Sequence, residues 1–140
     1  MNTRFFSLLY FFEAVVISAI VRVVLRFFSA SVRLRWMGQS VEEHYQLGEP
    51  APAQLDKLRA VKRSIDRCHR YVPWNTECYT QALTARLMLR RRKIPLLLYI
   101  GFKKEESQSL QGHAWTACGP YIVTGYRNDL SRYTLNGCFL

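Results

Sequence analysis

The sequence is short of acid. Ten Asp and Glu stand against twenty Lys and Arg, a formal net charge of +10, and from Arg67 to the end only Glu77, Glu105, Glu106 and Asp129 are acidic. Such a field draws an acidic peptide, nucleic acid or an anionic membrane face. Aromatic residues are not interleaved with the basic ones in a nucleic-acid-binding pattern, so no nucleic acid partner is expected. Metal spacing is also missing. Cys68, Cys78, Cys118 and Cys138 form no C-x-x-C pair, and Cys68-His69 with Cys78 and His113 lacks zinc-ligand spacing, so no metal and no cofactor is expected. With 49% apolar residues and no cleavable signal in evidence, a disulfide framework is not needed; reduced thiols in a cytoplasm fit better. Internal repeats and low-complexity tracts are absent. What remains in 140 residues is enough for one compact core.

The apolar residues are concentrated first at the N-terminus. Residues 5–21 are apolar except for Ser7, Glu13 and Ser18, and a helix is expected to run to about Phe28. The run is short for a membrane span, and Glu13 interrupts its middle. At 100° per residue Arg4, Ser7, Ser18, Arg22 and Ser29 share one narrow strip, and Arg22, Arg26, Arg33 and Arg35 gather at the far end. That pattern suits a helix lying on the inner membrane face or docked on a partner. The alternative is a long helix packed on the protein's own core. From Arg33 to Gly48 no period is evident, and Gly48-Glu-Pro-Ala-Pro52 is a turn. It divides an N-terminal helix and linker, 1–50, from a second segment, 51–140. In the latter, Leu55, Leu58, Val61, Ile65 and Cys68 predict a helix ending near Tyr71, before Pro73. His44 and His69 read as surface or capping residues.

The segment W-N-T-E-C-Y-T-Q-A-L-T-A-R-L-M-L-R-R-R-K-I-P, 74–95, predicts the central helix. Asn75 or Thr76 can cap it, Tyr79, Leu83 and Leu87 give an apolar face, and Arg90 to Lys93 suit the negative end of its dipole. Cys78 then lies near the positive end, which favours a thiolate; the alternative is a small buried hydrophobe. Pro95–Phe102, Gly112–Cys118 and Tyr121–Thr124 read as strands, with a polar loop at 103–111 and a tight turn at Gly119-Pro120. The tail R-Y-T-L-N-G-C-F-L can add one more. Helices followed by an antiparallel meander make the fold class α+β.

A thiolate nucleophile needs a base about 3 Å away and a group to orient that base. G-H-A-W at 112–115 supplies His113 on a strand, and a cysteine opening a helix against such a strand is the arrangement of papain-like and transglutaminase-like folds. The stretch C-Y-T-Q-A-L-T-A-R-L-M-L-R-R-R-K-I-P-L-L-L-Y-I-G-F, followed after a polar loop by G-H-A-W-T-A-C-G, resembles the lasso peptide biosynthesis B2 proteins, stand-alone leader peptidases with a transglutaminase-like cysteine protease core. The resemblance implies a cysteine peptidase that removes the leader from a ribosomally made precursor, with Cys78 as nucleophile and His113 as base. It implies Trp74, Gln81 and Trp115 as substrate-binding residues. It further implies three partners: the precursor peptide, a separate leader-recognition (B1-type) protein and an ATP-dependent cyclase.

The chain departs from that pattern where many members carry an aspartate, about twelve residues after the histidine; here Gly125 stands. Asp129 is expected to substitute, a backbone carbonyl being the alternative. Two other functions compete. One keeps the thioester and passes the acyl group to an amine, as transglutaminases do; the other is a non-catalytic, basic, membrane-apposed adaptor.

Overall fold

The computed structural model describes residues 3–74 and 76–140. Four helices come first: α1 (Thr3–Phe27), α2 (Ala30–Met37), α3 (Pro52–Tyr71) and α4 (Cys78–Arg91). Then follow β1 (Leu97–Lys104), β2 (Leu110–Cys118), β3 (Tyr121–Thr124), a 3-10 turn at Leu130–Arg132, and β4 (Thr134–Phe139). The strands form one antiparallel sheet in the order β3-β2-β1-β4. This is the expected α+β class. The meander extends through β1, β2 and β3; β4 then crosses back to pair with β1.

Local chemistry sets the boundaries. Pro52 opens α3, where its missing N–H is not needed, and the Ala51 amide donates to Gln54 Oε1 at 3.0 Å. The helix stops at Val72, extended at ψ 145° ahead of Pro73. Gly119 occupies the first central position of the two-residue β2–β3 turn with φ +57°, where a hairpin favours glycine. The α2 helix was not expected from the sequence. It is short and held by its surroundings: Met37 is buried in the common core, and Gly38 at φ +105° ends it. Residues 39–41 then run beside β4, the Val41 amide donating to Cys138 O at 2.9 Å.

A single core joins the two segments of the chain. Ala14, Ile17 and Val21 of α1 pack with Leu58, Val61 and Ile65 of α3, Leu83 and Met88 of α4, and Leu98, Ile100 and Ala114 of the sheet. Each such aliphatic side chain contributes about 1.5–3 kcal/mol on burial. The inner face of α1 includes Ser18, which lies in the strip read as polar. Its hydroxyl donates to Val15 O (2.9 Å), accepts from Trp74 Nε1 (3.2 Å) and lies 3.4 Å from Cys68 Sγ. Glu13 is not adrift in the apolar run either. It accepts two bonds from Arg92 (2.5 and 2.9 Å) and one from Arg91 (3.1 Å), tying α1 to the end of α4. Opposite this docked face, Phe5, Phe12, Val16, Ile20, Val23 and Phe27 are exposed.

Candidate active site

Cys78 is the first residue of α4 and is half-buried. The first amides of a helix have no carbonyl one turn back, so its N-terminus carries positive potential. The residue before it, Glu77 (φ −65°, ψ 173°), is the N-cap and makes no side-chain cap bond. Of the two residues expected to cap, Thr76 is otherwise engaged and Asn75 lies outside the described residues. The Thr76 hydroxyl meets His69 Nδ1 at 2.5 Å, and the Thr76 carbonyl accepts from Gln81 Nε2 at 2.8 Å. His69 therefore braces the approach to Cys78. Gln81 and Trp74, expected to bind substrate, direct their N–H groups into the protein, to Thr76 O and Ser18 Oγ.

The link from α4 to β1 is five residues, 92–96. It brings the chain back antiparallel to the helix, so α4 begins towards the end of β2 that carries His113. Ala114 belongs to the core under α4, and successive strand side chains alternate faces. His113 accordingly leaves with Trp115, its ring 5.9 Å from Trp115 and 5.6 Å from Tyr133, while Trp115 stacks on Tyr99 at 5.5 Å. Trp115 thus walls the imidazole. Tyr133 was not singled out from sequence, because its place beside the ring comes from β4 crossing back to β1.

His113 Nε2 lies 2.7 Å from Gly125 O. A carbonyl only accepts, so Nε2 carries the proton and Nδ1 presents its lone pair. Gly125 stands at the position expected for an aspartate, and a side chain there would be strained. The glycine has φ +77°, and a Cβ there would come within 2.5 Å of Ala114 O and 2.8 Å of Trp115 Cβ.

Asp129 is not the group on His113. Its carboxylate is shared by Lys103 Nζ (2.5 Å) and Arg127 Nε (2.9 Å). Arg127 first, and then Lys103, hold it well below the usual carboxylate range. Both cations also lie over the Tyr133 ring, at 5.3 and 6.0 Å, so Asp129 steadies the tyrosine that touches His113. Among the described residues no hydrogen bond joins Cys78 to His113. His113 lies on the face of the sheet turned away from the core under α4, so the structure does not bring Cys78 and His113 together.

The remaining thiols, Cys68, Cys118 and Cys138, are buried, and that burial pushes each of them up. No cluster of three or more His, Cys, Asp or Glu suited to a metal ion occurs among the described residues.

No curated protein and no solved structure matches the chain. The family profile of the Transglutaminase-like superfamily matches residues 21–136, from the second half of α1 into β4 and across both Cys78 and His113. With most of its length inside that match, and with helices leading into a small antiparallel sheet, the chain belongs to the transglutaminase-like superfamily.

Proposed function

We propose that the protein is a cysteine peptidase that cleaves the leader from a ribosomally made lasso peptide precursor. The observation that carries the chemistry is the Nε2–Gly125 bond, which leaves Nδ1 as a base on a family scaffold whose central helix opens with a cysteine. Once substrate binding has carried the imidazole to the start of α4, Nδ1 takes the Cys78 proton as sulfur attacks the scissile carbonyl. The oxyanion forms near the amide-rich start of α4, where helix-end dipoles stabilise it. The imidazolium returns the proton to the departing amine, leaving a Cys78 thioester. Water, activated by the same nitrogen, then releases the acid and restores the thiol. The choice of water over an amine acceptor, and of a leader as substrate, rests on the sequence resemblance.

A separate leader-recognition protein delivers the substrate, and a cyclase acts after cleavage. The exposed apolar face of α1 rests on the inner membrane surface. The helix is long and apolar enough to cross a bilayer by length and composition. Its Glu13, however, is committed to Arg91 and Arg92, and its inner face to the core, which favours lying flat. The experiment is cleavage of a cognate lasso precursor by the full chain with its leader-binding partner. Turnover should vanish in Cys78→Ala and His113→Ala with the fold retained. Normal turnover in either variant contradicts the proposal.

A further inference from the structure

The basic residues of α4 and of the turn that follows it are not all used by the fold. Arg91 and Arg92 pair with Glu13. Arg86 does not: only 9% exposed, it makes no hydrogen bond or ion pair among the described residues. Burial, and then the neighbouring Arg90, push its pKa below the ordinary arginine range. A guanidinium this deep with no oppositely charged partner has given up part of its hydration without a compensating charge.

Arg86 opens onto a cleft of about 590 Å³ lined also by Arg35, Gly38, Arg90, Lys93 and Leu140. Among the described residues none of its four cations has an ion pair. No Asp or Glu is among the described residues that line it. Leu140 closes one wall, its backbone oxygen accepting from the Gln39 amide at 2.9 Å. The floor is shaped for the guanidinium. Gly38 has φ +105°, and the Arg86 Nη2 and Cζ atoms lie where a Cβ would stand. Any other residue at 38 would displace the arginine.

We propose that this cleft is a binding site for a soluble, multiply charged phosphate compound. A carboxylate brings one negative charge, whereas a phosphate monoester carries about −1.5 to −2 at neutral pH with three acceptor oxygens. Guanidinium forks match that oxygen geometry. The volume falls in the range of small-molecule sites, about 300–1,000 Å³. The site is separate from Cys78 and does not depend on the chemistry proposed for it.

The test is isothermal titration of the full chain with inorganic pyrophosphate at fixed ionic strength, beside a tetraglutamate peptide and vesicles of phosphatidylglycerol. Saturable one-to-one binding of pyrophosphate is expected, weaker by about tenfold or more in Arg90→Gln and again in the Arg90→Gln/Lys93→Gln pair, both at exposed positions. Arg86→Met should abolish binding; the exposed variants keep the test decisive if that one does not fold. Overturning results are no saturable binding, affinity unchanged in the paired variant, or preference for the peptide or the vesicles.

Discussion

The two ends of α4 handle polar groups in opposite ways. At the N-terminal end, the segment before Cys78 is stitched inward: Trp74 to Ser18, Thr76 to His69, Gln81 to Thr76. At the C-terminal end, two arginines are consumed by Glu13, while Arg86, Arg90 and Lys93 line an open cleft with no ion pair among the described residues. One end spends its polar groups on holding a single thiol in place, and the other leaves charge available. Rigid bracing is what positioned chemistry needs, and unmet charge is what a mobile ligand needs.

The largest effect should come from breaking the first end. Cys78→Ala and His113→Ala should each abolish turnover, since nucleophile and base act as a unit, with circular dichroism unchanged. Cys68, Cys118 and Cys138 to Ala or Ser should leave activity largely intact, although burial makes some loss of stability expected.

The bracing itself is tested next. Gly125→Asp restores the acid common at that position, yet it should lower activity rather than raise it. At φ +77°, with a Cβ 2.5 Å from Ala114 O, the side chain forces the backbone off His113. Strain at such a position costs about 1–3 kcal/mol, which thermal unfolding would register. Higher activity would mean the carbonyl is a poor substitute for a carboxylate.

Asp129→Asn should be mild, changing turnover less than about tenfold. Loss of a true orienting acid costs about 10⁴ in the serine protease triad. The same residue gives a pH signature. Its pKa is lowered in the folded chain, so folding favours the ionised form. Its contribution to stability is present above the ordinary carboxylate pKa, about 4, and is lost as the pH falls further towards the depressed folded value. The Asn variant should show a flatter decline of Tm through that acid window.

The smallest effect on chemistry should come from the outer face of α1. Deleting residues 1–30 would remove Ala14, Ile17 and Val21 from the core and should unfold the domain. Phe12→Lys with Val16→Glu instead alters only exposed positions. It should move the protein out of the membrane fraction and leave Cys78 reactivity unchanged. Retention in that fraction would refute the membrane contact.

Much of this was legible because it depends on residue type and spacing. The α3 stripe, the α4 cysteine, the tail strand and the two strands expected at 95–102 and 112–118 follow from periodicity and turn chemistry, although those two strands form at Leu97–Lys104 and Leu110–Cys118, pairing through part of the segment expected to be a loop. What was hidden depends on contacts made at long range. A helix apolar on nearly every side does not declare which side is buried, so Ser18 read as part of an outer strip and Glu13 as an interruption; both turned out to be attachment points. Asp129 was plausible by sequence distance, but nothing local reveals that Lys103, 26 residues earlier, holds it. Gly125 contributes a carbonyl, which leaves no side-chain signal at all. The unpaired Arg86 was invisible within a basic run whose members look alike.

The most direct measurement of the central claim is intact-mass analysis of the full chain exposed to p-nitrophenyl acetate at neutral pH. Transfer of one acetyl group to Cys78 is predicted, absent in Cys78→Ala and strongly slowed in His113→Ala. Acetylation spread over lysines with no preference for Cys78, or equally fast at Cys78 without His113, would contradict a cysteine nucleophile served by that histidine.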